Sequence, residues 1–216
     1  RLVSYLLEQG ITTVHTGHGP GAVISGQTLI AKTYGESIDE SVMEESKMLA
    51  MTLGSAVRSN YSTPGTRAKA VSLLRQALIS AKEYKENGKS RKLDMEVLVK
   101  LLDGELTAMI TAHKANDIIT ALRIQKEFGF PMVLDGAAEA YLVLDEIKEA
   151  GVPVFIHPPM IRLGGDAKNA SLETPARLQD AGIPFAFQSG FEGYVPKTRV
   201  VRYEAAIAAA FGLGME

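Results

Sequence analysis

The chain has no cysteine, which excludes disulfides, thiolate metal sites and a cysteine nucleophile and fits the reducing compartment of a cytoplasmic protein. It has no basic surplus. The formal net charge is -2 over 216 residues and no Lys/Arg cluster interleaved with aromatics occurs, so no nucleic acid is expected as a partner. No apolar run reaches the ~20 residues of a membrane-spanning helix, so no membrane is expected either. Two catalytic signatures are also missing: there is no G-x-S-x-G for a nucleophile elbow, and no G-x-G-x-x-G follows a first strand to hold a dinucleotide.

What is there suffices for one core. With 46% hydrophobic and 22% charged residues, residues 1–216 read as a single globular domain. The opening "RLVSYLLEQG" begins at Arg1 and sets Leu2, Val3, Leu6 and Leu7 on one helical face, while "YEAAIAAAFGLGME" closes as a helix with a glycine stop. This pattern predicts a piece of a longer protein, entered in mid-element.

Three segments share one grammar: "KEFGFPMVLDG" (126–136), "KEAGVPVFIHP" (148–158) and "QDAGIPFAFQS" (179–189). Each is a helix end, a glycine, an apolar residue, a proline and a short strand. Gly129, Gly151 and Gly182 suit the left-handed position after a helix, and Pro131, Pro153 and Pro184 suit a strand start, where a missing N–H costs least. "LEQGITTVHTG" (7–17) has the same form without proline. The spacings are those of βα units. Between them, Ala115, Ile118, Ile119 and Leu122 mark one helical face and Ala138, Tyr141, Leu144 and Ile147 another; "LETPARLQDAG" carries Thr174 as N-cap and Pro175 at N1.

The strands "LTAMITA", "MVL", "VFI" and "FAF" are continuously apolar, as strands buried on both faces are. The expectation is a parallel α/β fold, either an open doubly wound sheet or a (β/α)8 barrel. An incomplete TIM-type barrel suits the length better, since a whole one takes ~250 residues. Residues 36–103, including "ESVMEESKMLAMTLGSAV", "TRAKAVSLLRQALISAKEYKENG" and "MEVLVKLL", read as helical throughout and are expected to form an insertion.

In either fold the site gathers at the carboxyl ends of the strands. His15 follows "ITTV", His18 lies just beyond it, His113 follows "LTAMITA" and His157 follows "VPVFI". All four imidazoles are candidate bases or metal ligands at one mouth, although His15 and His18 have the wrong parity to share a strand face. Asp135 ends a strand and is a candidate carboxylate base or turn cap. Arg162, in the glycine-bearing "RLGGDAKN", could grip an anionic group. Lys32 is a candidate anion binder, carbamylated bridging ligand or Schiff-base lysine.

"AHKANDIITALRIQKEFGF", "EAYLVLDEIKEAGVPV" and "TPARLQDAGIPFAFQSGFEGYVPKTR", with "PGAVISGQTLIAKTYG" and "TRAKAVSLLRQALISAKEY", together resemble the metal-dependent amidohydrolase superfamily in its imidazolonepropionase-like branch. The resemblance implies a (β/α)8 barrel here lacking its first strand and a small N-terminal β domain. It also implies a divalent metal, zinc foremost, whose bound water attacks a carbon bonded to nitrogen.

By that resemblance His113 is the metal ligand after strand 5. The family's Glu-His-Gly after strand 6 reads Asp135-Gly136-Ala137 here, and its Thr-Asp after strand 8 reads Ser189-Gly190 following Gln188, so Gly136 and Gly190 stand where a ligand and a base are expected. Two functional expectations follow. One is hydrolysis of a non-peptide C–N bond in a small cyclic amide, amidine or N-acyl compound. The other is a degenerate barrel with no bound metal, acting as a ligand-binding or partner subunit of an active paralogue. A barrel short of a strand has open edges, so a homo-oligomer or a paralogue partner is expected.

Overall fold

The computed structural model describes residues 2–17, 19–60, 65–88, 90–190 and 198–214. In chain order its first half contains α1 (Leu2–Glu8), β1 (Thr13–Thr16), β2 (Ile24–Gln27), β3 (Leu29–Lys32), α2 (Ile38–Ser41), β4 (Val42–Glu44), β5 (Met48–Thr52), α3 (Ser55–Asn60), α4 (Arg67–Asn87) and α5 (Leu93–Leu102). The second half contains β6 (Thr107–Ala112), α6 (Ala115–Phe128), β7 (Met132–Gly136), α7 (Leu144–Ala150), β8 (Val154–Ile156), α8 (Thr174–Ala181), β9 (Phe185–Phe187) and α9 (Val201–Ala210).

The repeated glycine and proline do what their chemistry predicts. Gly129, Gly151 and Gly182 end α6, α7 and α8 in the left-handed conformation. Each following proline has no N–H to place but still offers its carbonyl to the preceding strand. Pro131 accepts from Ala108 N at 2.8 Å, Pro153 from Leu134 N at 3.0 Å and Pro184 from Val154 N at 3.0 Å. One type of bond therefore helps set the register of three successive strand pairs.

The strands form a six-stranded sheet of order β2-β5-β6-β7-β8-β9 and a separate antiparallel sheet of order β1-β3-β4. In the larger sheet β5 through β9 run parallel and β2 pairs antiparallel with β5. Because side chains alternate, the two faces differ in content. Leu49, Met51, Ala108, Ile110, Ala112, Leu134, Val154 and Ile156 pack into the main core with the helices. Met48, Ala50, Met109, Val133 and Phe155 form a thin apolar layer on the opposite face, and Thr111 and Asp135 share that parity in paired register.

The described strands leave β2 and β9 as outer strands, so the fold is a mixed α/β sheet with a parallel run of strands, and no closed barrel is formed among the described residues. Three sequence expectations change. "ESVMEESKMLAMTLGSAV" is not one helix: it supplies β4, β5 and α3. The reason is pairing, since β5 aligns with β6 from Met48↔Thr107 to Thr52↔Thr111, and an apolar run buried on both sides carries no period of its own. The helical remainder, α4 and α5, is the crossover from β5 to β6. Ala138–Ile147 begins as a 3-10 turn at Ala140–Leu142 and becomes α-helix only at Leu144, and Thr174 is the first helical residue, with Glu173 at the N-cap.

Candidate functional site

The carboxyl ends of β6, β7, β8 and β9 lie side by side, so the residues that leave them meet. Thr111, His113, Asp135, Gly136, His157, Gln188 and Gly190 line a cavity of about 350 Å³, with Arg162 and Ile161 from the loop after β8 on its wall. A larger cavity of about 530 Å³ adjoins it and shares Asp135, Gln188 and Gly190; its remaining wall is mostly apolar, including Leu6, Ile11, Met109, Phe155 and Phe187.

Asp135 is the centre. Its side chain is buried, Oδ2 accepts from Thr111 Oγ1 at 2.5 Å, and Oδ1 accepts from Gln188 Nε2 at 2.7 Å. Gln188 also donates to the Phe155 carbonyl at 3.2 Å, which fixes its amide. Burial pushes the Asp135 carboxyl up to about 6, while the bonds from Thr111 and Gln188 hold it back. Ionisation thus falls within a unit or so of neutral pH, where a carboxylate can accept a proton and a carboxylic acid can return one.

The two imidazoles beside it are kept neutral. Burial lowers His157 to about 4, against the help of the Pro158 carbonyl, and His113 lowers it further. His157 Nδ1 donates to Pro158 O at 2.8 Å, so in the neutral ring Nε2 is the acceptor; that atom is buried with no partner. Burial also lowers His113, opposed by the Asp166 carboxylate, and its buried Nδ1 likewise has no partner. The His113 ring lies directly over Gly136: a Cβ there would come within 2.6 Å of His113 Cε1.

Behind the mouth a charged pin ties three distant segments together. Arg67 Nε reaches Asp117 Oδ2 at 3.2 Å and its guanidinium NH2 reaches Asp166 Oδ1 at 2.9 Å, while Asp166 accepts from Ser55 N at 2.6 Å. Burial raises Asp117 despite Arg67. Burial also pushes Asp166 up, but Ser55 and Arg67 outweigh it and leave that carboxyl below its ordinary value. Buried Glu139 plays a related role at α6, which lacks a side-chain cap of its own: Oε2 accepts from Ala115 N at 2.8 Å and Oε1 from Asn169 Nδ2 at 2.6 Å.

The candidates from the sequence therefore divide. His113, Asp135, His157 and Arg162 meet at the smaller cavity. His15 is in mid-strand in the small antiparallel sheet rather than at a parallel strand's end. It lines the larger cavity, with Nε2 2.6 Å from Thr28 Oγ1 and its ring edge-on to Phe155 at 6.1 Å. Lys32 is not at the mouth: it is exposed on β3 and Nζ donates to Thr13 Oγ1 at 2.9 Å, because the small sheet carries it away from both cavities. His18 lies outside the described residues. Thr111 and Gln188 as Asp135 partners, and the Arg67 pin, were not singled out; parity alone points to Thr111, two residues before His113 on its strand.

A divalent metal requires three or four donors, for zinc at roughly 2.0 to 2.3 Å. Among the described residues no three His, Asp or Glu side chains stand where they could hold one. His113 and His157 present one unpartnered nitrogen each, and each Asp135 oxygen already holds one hydrogen bond, from Thr111 and from Gln188. The donor set does not fit the metal implied by the resemblance.

No protein-family model and no curated protein matches the chain. Among solved structures, an amidohydrolase from Thermotoga maritima MSB8 superposes with a TM-score of 0.91 at 27% identity over 99% of this chain. The match spans 59% of the length of that protein. By this superposition the chain has an amidohydrolase-like fold.

Proposed function

We propose that this chain is a hydrolase-type protein of the imidazolonepropionase-like kind, built on part of a (β/α)8 barrel and directed at a non-peptide C–N bond. Its substrate is a small cyclic amide, amidine or N-acyl compound held at the carboxyl ends of β6 to β9. The observation that carries this reading is the convergence of His113, Asp135, His157 and Gln188 on one cavity in a fold shared with an amidohydrolase. Asp135 is the group that moves a proton, and Thr111 and Gln188 hold its carboxyl in place. Turnover of a panel of lactams, cyclic amidines and N-acyl amines by the purified protein, abolished in Asp135→Asn, is the expected result. No turnover of any class by a folded protein rejects it.

A second reading is favoured by the His113 ring over Gly136. That contact puts an imidazole in the space a side chain at 136 would use, which suits a chain that binds its ligand without hydrolysing it and pairs with an active paralogue or with itself. The turnover panel and light scattering separate the two. No turnover together with stable self-association or co-purification of a paralogue supports the second.

A further inference from the structure

The smaller cavity has an imbalance of hydrogen-bonding groups. The buried donors beside Asp135 are used internally: the Thr111 hydroxyl and the Gln188 amide both donate to Asp135, and the His157 Nδ1–H donates to Pro158, while the Arg162 guanidinium on the wall is exposed. Its acceptors are in surplus. His157 Nε2 is buried without a partner on a side chain 1% exposed, and His113 Nδ1, also buried without a partner, accepts in the tautomer that carries its proton on Nε2. Each Asp135 oxygen accepts one bond where a carboxylate oxygen can accept two. No cation acts on the Asp135 carboxyl: burial raises it, the Thr111 and Gln188 bonds hold it back, and the two imidazoles beside it are neutral.

A buried carboxylate and a buried acceptor nitrogen facing one space, with a second imidazole nitrogen that accepts in one tautomer, call for a ligand rich in N–H donors and carrying positive charge. We propose that this cavity binds, without a metal, a planar amidinium or guanidinium head, whose N–H groups donate to Asp135 and to the free imidazole nitrogens. The fork of such a head matches a carboxylate geometrically, and its positive charge supplies the counter-ion that Asp135 lacks. The cavity, at about 350 Å³, has room for a head with a ring attached, and the adjoining apolar cavity can receive the rest of the molecule. The inference deepens the substrate class of the proposed site and rests on that reading for the identity of the site, but not on turnover.

Titration calorimetry with benzamidine on chelator-treated protein tests it, with benzyl alcohol, benzoate and a neutral cyclic urea as comparison probes. Benzamidine is expected to bind at least about tenfold more tightly than any of the three, a factor equivalent to 1.4 kcal/mol. Asp135→Asn, close in shape and still able to take the Thr111 bond, should remove that preference. Imidazole resonances of His113 and His157, followed by nitrogen-proton correlation NMR in the wild-type chain, should move on benzamidine addition and not on benzoate addition. Equal binding of benzamidine and the cyclic urea, unmoved imidazole resonances, or an undiminished preference in a folded Asp135→Asn protein overturns the inference. A chain that hydrolyses lactams yet ignores benzamidine overturns only this inference and leaves the proposed function standing.

Discussion

The His113 imidazole occupies the space that a side chain at Gly136 would need: a Cβ built there would lie 2.6 Å from Cε1 and 3.1 Å from each ring nitrogen. Gly136 also has φ +81, a region that side chains rarely adopt. Gly136→Ala is therefore strained twice. It should cost about 1–3 kcal/mol, a fall of roughly 2–10 °C in Tm. Adding His113→Ala should remove the steric part, so that the double variant loses less than the two singles together. Additive losses in a thermal-melt cycle would place the ring elsewhere.

Asp135 and His157 pull stability in opposite directions with pH. The folded value for Asp135, about 6, exceeds its ordinary 3.8, so its contribution is full below pH 3.8 and lost as pH rises through 6. The folded value for His157, about 4, is below its ordinary 6.5, so its contribution is full above pH 6.5 and lost as pH falls through 4. Each amounts to roughly 3 kcal/mol, and the wild type should show them largely cancelling. His113, lowered by burial and opposed by Asp166, adds to the imidazole side. Asp135→Asn should thus lose stability steadily from pH 6.5 to 4, whereas His157→Gln should hold or gain it. Denaturant midpoints measured across that range decide; parallel curves for all three proteins refute the assignment.

Arg67 joins α4 to Asp117 of α6 and to Asp166 of the loop after β8. Arg67→Leu leaves Asp117, 6% exposed, without its cation. The cost should be about 1–3 kcal/mol, kept low because the arginine itself is partly solvated. Gly54→Ala attacks the same cluster from the other side, since its Cβ would stand 2.8 Å from Asp166 Oδ2 at a φ of +102. Both variants should speed hydrogen exchange in residues 158–170. Exchange confined to α4 would show that the pin does not hold that loop.

The parity of β6 makes a sharp contrast between neighbours. Ile110 is fully buried against the helices, while Met109 faces the larger cavity. Ile110→Ala should cost about 2–5 kcal/mol, and Met109→Ala less, because an existing void adjoins it and few packed atoms lose a partner. Chemical denaturation of the two variants gives the order. A reversed order would invert the assignment of the two faces.

Much of the scaffold was legible in the sequence. The Gly-x-Pro units named three helix ends and three strand starts because left-handed glycine and the missing proline N–H act locally, within a few residues. The strand ends that carry His113, Asp135 and His157 were legible for the same reason. β5 was not: "MLAMT" is apolar on both faces, and whether such a run is strand or helix depends on the β6 edge beside it. Lys32 and His15 were misplaced because the sequence does not tell a parallel strand from a strand of a small antiparallel sheet. The Thr111 and Gln188 bonds to Asp135 join residues 24 and 53 positions apart, and nothing local signals them.

By itself, then, the sequence determined where helices stop, where parallel strands begin and which polar residues leave their carboxyl ends, since backbone dihedral limits and apolar burial are written residue by residue. Only the tertiary structure decided that one imidazole covers a glycine, that two imidazoles stay neutral with one buried nitrogen each left unpartnered, and that a carboxyl on the same cavity is raised to about 6. Those properties come from desolvation and from distances between strands, and both exist only once the chain has folded.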